Sequence, residues 1–181
     1  MNPWNNLPKD KIQPDDFLAV IEIPKGSKQK YEVDPQTGLL RLDRILYTST
    51  HYPQNYGFIP QTTSGDGDPL DVLVLCSESL TPLCMVRCYP IGAIKMTDDE
   101  HIDEKIIAVP FDDPQMRDYQ DLTDLPGHVY NEIMHFFEVY KDLENIKTDI
   151  LQIDGRNVAN KIIASSRAVY EAANACNHEL D

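Results

Sequence analysis

Three aspartates lie close together in one short, stiff turn of this chain. Asp66, Asp68 and Asp71 fall within six residues, and Gly67 and Pro69 lie between them. Glycine lets the backbone turn sharply and proline stiffens it, so the three carboxylates can be held near one another. Hard oxygen ligands that converge in this way suit Mg²⁺ or Mn²⁺. The alternative is an acidic surface turn, and spacing alone leaves both interpretations open.

A second acidic cluster spans residues 95–105, between two predicted strands. Asp98 and Asp103 lie inside it, and Lys95 and Lys105 flank it. Taken alone, the pattern is typical of a solvated hairpin tip. Carboxylates beside ammonium groups also suit a site that binds cations and a polyanion together. In such a site the carboxylates bind the ions and the lysines contact phosphate oxygens.

Further candidates for binding an anion are basic residues and tyrosines in or near predicted strands and helices. They are Lys30, Arg44, Tyr52, Tyr56, Tyr140 and Lys141. Taken singly, each is typical of a surface charge or of a core aromatic ring with a solvated hydroxyl group. Other catalytic motifs are missing from the sequence. It has no GxxxxGK[ST] phosphate loop, no HExxH zinc motif and no GxSxG nucleophile.

The secondary structure that must position these residues is predicted to change along the chain, from strands in the first two thirds to helices in the last third. β-rich segments, separated by Gly and Pro, predict a small barrel or sandwich. These predicted strands cover residues 17–23, 31–33, 40–43, 72–75, 85–96 and 105–109. In the last third, apolar residues recur at helical spacing over 129–140 and 158–173. Asp124 is the predicted N-cap of the first helix, with Pro126 in its first turn. The predicted class is mixed α and β, β-dominant, with two main helices on a barrel.

Composition and charge restrict the function. The length suits a single domain over residues 1–181, with frayed ends at about 1–6 and 174–181. A net charge of -14 opposes binding to nucleic acid or to an anionic membrane, because both require a basic surface. The apolar runs are far shorter than the ~20 residues that span a bilayer, and no secretory signal is visible. We therefore expect a cytoplasmic protein without nucleic-acid or membrane partners.

Taken together and in order, these segments resemble the family I soluble inorganic pyrophosphatases in their bacterial form. The resemblance runs from about residue 17 to residue 170, and Asp-Gly-Asp-Pro-Leu-Asp at 66–71 is the family's signature. The other matching segments are Glu22-Ile23-Pro24, Lys30-Tyr31-Glu32, Asp43-Arg44, and residues 52–57, 95–98, 103–105 and 135–144.

The resemblance implies a fold, a reaction and an assembly. The fold is an OB-like five-stranded closed barrel with two main helices packed outside, and the assembly is a homohexamer. The reaction is the hydrolysis of pyrophosphate to two phosphates by a metal-activated water. Several Mg²⁺ ions per subunit are implied, with Mn²⁺ or Zn²⁺ as substitutes. Val139 is a departure, since many bacterial relatives have His there, and it bears on subunit packing rather than on chemistry.

The resemblance also implies a role for each matching residue. Asp68 corresponds to the catalytic base beside the attacking water. The implied ligands of the tight metal site are Asp66, Asp71 and Asp103, and Asp71 also reaches a second metal. Asp98 and Asp103 are implied to hold a metal that arrives with substrate, and Glu32 to contact a further one. The implied phosphate contacts are Lys30, Arg44, Tyr56, Lys105, Tyr140 and Lys141. Glu22 and Tyr52 are implied to support these groups from behind.

Two other functions stay open. A metal-dependent phosphatase that acts on nucleotides would need a pocket for stacking a base, and no residues in the sequence point to one. A non-catalytic OB-type module that binds oligonucleotides would need a basic, aromatic face. The net charge opposes that second alternative.

Overall fold

The structure is a computed structural model that describes residues 7–99 and 101–178, with side chains up to residue 175. The strands within these residues are β1 (Ile12–Gln13), β2 (Asp16–Ile23), β3 (Gln29–Val33), β4 (Leu40–Ile45), β5 (Asn55–Ile59), β6 (Leu70–Val74), β7 (Met85–Asp98), β8 (His101–Pro110) and β9 (Thr148–Gly155). The main helices are α1 (Gly127–Val139) and α2 (Arg156–His178). Short 3-10 turns cover Lys9–Lys11, Leu122–Asp124 and Asp142–Glu144.

Five of the strands close into a ring, in the order β2-β5-β6-β8-β7 and back to β2. The β6–β8 pair is parallel and the other four pairs are antiparallel. Closure leaves no open edge on these strands, which removes a site for unwanted pairing. β1 extends the sheet beside β2, β9 extends it beside β7, and β3 and β4 form a separate hairpin. The predicted OB-like five-stranded closed barrel is confirmed.

The inside of the barrel is filled by one face of each strand. Side chains alternate between the two faces of a strand, and the inward set of β2 is Phe17, Ala19 and Ile21. The same cluster contains residues from β5, β6, β7 and β8, and α2 contributes Ala159 and Ile163. Since all five strands bury apolar side chains here, this cluster holds the barrel closed.

Helix α1 covers part of the outer face of the barrel. Ile133, Phe136, Phe137 and Tyr140 recur at helical spacing and pack with outward residues of β6, β7 and β8. The predicted cap of α1 was wrong. Asp124 instead ends the preceding 3-10 turn, which is closed by a reciprocal hydrogen-bonded cap with Asp121. The next two residues are extended, so α1 starts independently after Pro126.

The predicted strands are all present, but three more, β1, β5 and β9, were missed. β1 is only two residues long, β5 lies in a segment that was noted only for its tyrosines, and β9 lies between the two predicted helices. Of the ends expected to fray, residues 1–6 and 179–181 lie outside the described residues, whereas 174–178 belong to α2. Within the residues that the structure describes, no helix is both long and apolar enough to cross a bilayer. A single domain over the whole chain stays a prediction.

Candidate active site

One cleft of about 620 Å³ opens between the β3–β4 hairpin, the turn before β6, the β7–β8 hairpin and the end of α1. It contains thirteen of the fourteen predicted site residues. They are Glu22, Lys30, Glu32, Tyr52, Tyr56, Asp66, Asp68, Asp71, Asp98, Asp103, Lys105, Tyr140 and Lys141. Arg44 does not line the cleft. Segments that are far apart in sequence therefore converge on one place.

The aspartate turn before β6 is held by its own hydrogen bonds. The Asp66 carboxylate accepts from the Ser64 hydroxyl group at 2.6 Å and from the Asp68 backbone N–H at 3.0 Å. Gly67 adopts a φ of +93°, which favours glycine at this point of the turn. The buried Thr62 hydroxyl accepts from the backbone N–H of Leu70, where β6 begins. The two carboxylates are thus presented from a fixed turn.

The two carboxyl groups of this turn have opposite electrostatic surroundings. Burial raises the pKa of Asp66, but the hydrogen bonds from Ser64 and from the Asp68 backbone outweigh it and lower the pKa overall. For Asp68, burial raises the pKa, and the neighbouring charges of Asp66 and Asp71 raise it further. Environments that separate the pKa values of two nearby acids are typical of acid–base sites. Of the two, Asp68 is better suited to accept a proton.

The centre of the cleft is built around Lys105, which is only 3% exposed. Its ammonium nitrogen lies 2.7 Å from Asp71, 2.8 Å from Asp103 and 2.8 Å from the Tyr56 hydroxyl oxygen. The Tyr56 hydroxyl group donates to the same Asp71 oxygen at 2.5 Å. Strand register produces this arrangement, since Asp71 of β6 pairs with Lys105 of β8 and with Phe58 of β5.

Burial and nearby charges have opposite effects on the pKa values of the groups at this centre. Burial lowers the pKa of Lys105, but Asp71, Tyr56 and Asp103 outweigh it, so the pKa lies well above its ordinary value. Burial raises the pKa of Asp103, although Lys105 opposes the rise. A buried ammonium group therefore holds two carboxylates together, at the cost of removing three charges from water.

A second ion pair closes the side of the cleft beside α1. The Lys141 ammonium nitrogen lies 2.5 and 2.6 Å from the two carboxylate oxygens of Asp98, and the Tyr140 hydroxyl group donates to Asp98 at 3.3 Å. The ring of Tyr140 packs against the rings of Phe136 and Phe137, which fixes its position. The helix end and the tip of the β7–β8 hairpin thus meet at one carboxylate.

The β3–β4 hairpin supplies a third group of charges. Lys30 lies 2.7 Å from Glu32 and 3.3 Å from Asp43, and Arg41 lies 3.0 Å from Glu32. Arg44 lies beside them but turns away from the cleft, 2.7 Å from Asp43 and 3.1 Å from Glu144. Its Nη2 atom is buried and has no hydrogen-bond partner among the described residues. Arg44 is thus held by two carboxylates outside the cleft lining, and its contact with phosphate stays a prediction.

Glu22 and Tyr52 lie behind these charges. The Glu22 carboxyl group accepts from the Val33 backbone N–H at 2.7 Å and so ties β2 to the hairpin. Burial raises the pKa of Glu22 to about 8, against a lowering effect of that hydrogen bond. The ring of Tyr52 packs 5.3 Å from Tyr56 and 4.8 Å from Phe136, between centroids. Both residues join the cleft to the elements that support it.

Sequence reasoning missed some of the charged groups around the cleft. Arg41 lines it and pairs across the hairpin with Glu32, and Glu144 holds Arg44 from a turn after α1. Arg41 could have been found, because period-two alternation puts it on the same face of β4 as Asp43. Nothing in the local sequence marks Glu144 as the partner of a residue 100 positions away.

The donor set of the cleft fits divalent cations. Among the described residues, eight carboxylates line it against four basic side chains, which leaves an excess of negative charge. The acids are Glu22, Glu32, Asp34, Asp66, Asp68, Asp71, Asp98 and Asp103, and the bases are Lys30, Arg41, Lys105 and Lys141. Carboxylate oxygens are the ligands that Mg²⁺ prefers. In the described part of the chain no three His, Cys, Asp or Glu side chains already stand in a metal-binding arrangement; Lys105 lies between Asp71 and Asp103.

Residues 19–171 match a family model described as inorganic pyrophosphatase. The chain belongs to the inorganic pyrophosphatase family. The soluble inorganic pyrophosphatase 2 of Chlamydomonas reinhardtii is 45% identical over 170 residues, which cover 94% of this chain and 88% of that protein. The soluble inorganic pyrophosphatase of Oryza sativa subsp. japonica is 50% identical over 144 residues, covering 80% and 67% of the two chains.

Solved structures of pyrophosphatases share the fold. The inorganic pyrophosphatase from Thermus thermophilus superposes with a TM-score of 0.89 at 38% identity, over 94% of this chain and 99% of that one. The enzyme from Neisseria gonorrhoeae gives a TM-score of 0.87 at 35% identity, over 93% and 98%. The predicted resemblance to the soluble pyrophosphatases is thus confirmed.

Proposed function

We propose that this protein hydrolyses inorganic pyrophosphate to two phosphates and that the reaction depends on Mg²⁺. The observation that carries the proposal is the single cleft in which an excess of carboxylates lies beside buried and half-buried lysines. Such a cleft can bind cations and a small polyanion side by side. A wholly acidic or a wholly basic cleft would bind only one of them. Membership of the pyrophosphatase family supports the same reaction.

The metal ions would be held by the carboxylates. We assign Asp66, Asp71 and Asp103 to the tightest site, and Asp98 and Glu32 to ions that arrive with substrate. Bound Mg²⁺ would neutralise phosphate charge and make a water molecule acidic enough to act as a nucleophile near neutral pH. Mn²⁺ and Zn²⁺ are proposed as substitutes.

Asp68 is proposed to take the proton from the attacking water. It is exposed at the mouth of the cleft, and its raised pKa brings it closer to the operating pH, where a general base works best. Its backbone N–H donates to the Asp66 carboxylate, which fixes the backbone from which the Asp68 side chain extends. This division of roles leaves Asp66, with its lowered pKa, as a permanently charged ligand.

The cations and hydroxyl groups are proposed to bind the phosphate oxygens. The groups are Lys30, Arg44, Tyr56, Lys105, Tyr140 and Lys141. In the structure each of the lysines is already paired with a carboxylate, so substrate and metal ions would share these partners between them. Arg44 would have to exchange Glu144 or Asp43 for phosphate, and its unpaired Nη2 atom provides a free donor for that step. Charge-assisted contacts of this kind strengthen as negative charge develops on the leaving phosphate.

We further propose that the chain forms a single catalytic domain, works in the cytoplasm and assembles into a homohexamer. The assembly is proposed from membership of the pyrophosphatase family alone.

Phosphate release tests the proposed reaction. Purified protein is given pyrophosphate or ATP, with Mg²⁺ or with a chelator, beside the Asp68→Asn variant as a matched control. We expect rapid release from pyrophosphate with Mg²⁺ only, and little from ATP. Equal rates on ATP and pyrophosphate would point instead to a general nucleotide phosphatase. No release from either substrate would leave only a binding role.

A further inference from the structure

Four basic side chains line the active-site cleft, and Arg41 is the one that its neighbours hold least. Its side chain is 65% exposed, against 25% for Lys30, and those of Lys105 and Lys141 are more deeply buried. Among the described residues, the Arg41 guanidinium group makes a single hydrogen bond, from Nη2 to Glu32 at 3.0 Å. Its remaining N–H groups are therefore left for a ligand in the cleft.

Glu32 shares its two carboxylate oxygens between two cations. The Lys30 ammonium nitrogen lies 2.7 Å from Oε1, and Nη2 of Arg41 lies 3.0 Å from Oε2. Strand register produces the second pair, because Glu32 and Arg41 are direct partners across the β3–β4 hairpin, and opposite charges attract at such positions. Both oxygens are thus occupied, so Glu32 can bind a metal ion fully only after one base leaves it.

Arg41 is the base that can leave Glu32 more easily. An exposed ion pair contributes little to stability, so breaking the Arg41–Glu32 pair costs little. Lys30 is held a second time, because it also lies 3.3 Å from Asp43. Since Arg41 lines the cleft, a guanidinium group released from Glu32 stays beside any ligand there. Its planar set of N–H donors matches the oxygens of a phosphate group.

We propose that Arg41 is a further phosphate-binding residue of the cleft. It leaves Glu32 when that carboxylate binds a divalent cation, and it then donates to a phosphate oxygen at the mouth of the cleft. The exchange keeps the charges balanced, because the cation replaces Arg41 beside Glu32 while Arg41 neutralises the phosphate. This inference rests on the proposed function, in which Glu32 contacts an ion that arrives with substrate.

The Mg²⁺ dependence of phosphate binding tests the exchange. The whole protein is titrated with inorganic phosphate, by calorimetry or by phosphorus NMR where binding is weak, at saturating Mg²⁺ and again with a chelator. At saturating Mg²⁺, Arg41→Gln should bind phosphate about ten-fold more weakly than the wild type, because a charge-assisted contact is lost. With the chelator, Arg41 stays on Glu32 in the wild type, so the two proteins should bind phosphate alike.

Two further variants make the test specific. Arg41→Lys keeps the charge but not the planar set of donors, so it should restore part of the affinity at saturating Mg²⁺. Arg87→Gln is the matched control for the loss of one positive charge. The Arg87 side chain is 58% exposed and pairs with Asp16 at 2.6 Å, and Arg87 does not line the cleft. This control should bind phosphate like the wild type, and urea unfolding checks that each variant is folded.

Three results would overturn the proposal. They are wild-type affinity for phosphate in Arg41→Gln at saturating Mg²⁺, an equal loss with and without Mg²⁺, and an equal loss in Arg87→Gln. A purely structural pair across the hairpin would give the first result, with a change in unfolding alone. Failure of the proposed function is distinguishable, because the wild type would then bind phosphate in this Arg41-dependent way but release none from pyrophosphate.

Discussion

The two halves of the active-site cleft are built in different ways. One half lies on barrel strands, where register places Asp71, Asp103 and Lys105 in mutual contact. The other half lies on a turn and a hairpin, where Asp68 and Lys30 are held mainly by neighbours close in sequence. In the strand-borne half Lys105 is buried and is paired with both half-buried carboxylates, whereas in the other half Lys30 is half-buried and Asp68 is exposed. The contrast indicates that long-range strand pairing positions Asp71, Asp103 and Lys105, whereas local hydrogen bonds and ion pairs position Asp68 and Lys30.

The largest expected effect distinguishes the role of Asp68, on the turn, from that of Asp71, on a barrel strand. Asp68→Asn keeps the shape of the side chain but removes the base, so the rate should fall by ~10²–10⁴-fold. Mg²⁺ affinity should change little, and added Mg²⁺ should not restore the rate. Asp71→Asn should instead weaken Mg²⁺ binding, and excess Mg²⁺ should recover part of the rate. Titration calorimetry and rates at rising Mg²⁺ measure both quantities; the opposite pattern of rescue would mean that the roles are reversed.

The next effect concerns the stability of the strand-borne half. Lys105→Met leaves the half-buried Asp71 and Asp103 without their buried cation, so the free energy of unfolding should drop by up to ~3–5 kcal/mol. Urea unfolding in the presence of a chelator measures this. Lys95→Met is the matched control, because the Lys95 side chain on the neighbouring strand is 41% exposed and lies 3.7 Å from Glu104. Such surface pairs contribute ~0–1 kcal/mol. Equal losses in the two variants would show that the buried network is no more important than a surface pair.

Much of the barrel could be predicted from the sequence, because most of its strands are apolar runs or alternate with period two. β5 could not, since its Gly57 and polar Asn55 are typical of a turn. The structure explains the glycine: a Cβ atom at this position would lie 1.9 Å from the Val20 carbonyl oxygen. Gly57 thus allows β2 and β5 to approach closely, and only the tertiary pairing reveals it.

β9 was missed for a related reason. Most of its residues are exposed or half-buried, and it is stabilised by pairing with β7 rather than by an apolar pattern of its own. In the site, the resemblance to the pyrophosphatase family was needed to name the residues, and thirteen of them lie in one cleft. The position of Arg44 was not predictable, because it depends on an irregularity in the β3–β4 pairing beside Lys30 and on the distant residue Glu144.

Glu22 joins the two halves, and it should make stability depend on pH. Its pKa is about 8 in the folded state and 4.5 is its ordinary value, so the folded state binds the proton more tightly. The contribution of Glu22 to the free energy of unfolding should therefore be greatest below pH 4.5. It should fall by about 1.4 kcal/mol per pH unit as the pH rises towards 8. Glu22→Gln should remove this slope. Urea unfolding of both proteins at several pH values, without metal, checks it; parallel curves would show that Glu22 titrates normally.

The smallest expected effect concerns Arg44, the predicted site residue that turns away from the cleft. If Arg44 exchanges Glu144 for phosphate during the reaction, Arg44→Ala should lower kcat/KM by about 10- to 100-fold, because it removes charge-assisted contacts worth ~1.5–3 kcal/mol. Mg²⁺ affinity should stay the same, since Arg44 contacts none of the proposed metal ligands. Lys30→Ala is the comparison, because Lys30 pairs with Arg44 across the hairpin but already faces the cleft.

Glu144→Gln distinguishes a mobile Arg44 from a purely structural one. This variant weakens the hold on the guanidinium group and leaves the arginine in place. A mobile Arg44 then reaches phosphate more easily, so KM for pyrophosphate should stay the same or fall, while Arg44→Ala raises it. If the Arg44–Glu144 pair only ties the hairpin to the turn after α1, both variants should lose stability together in urea. Both should then show the same change in kcat/KM. Steady-state rates at saturating Mg²⁺, measured beside unfolding curves for the two variants, separate these outcomes.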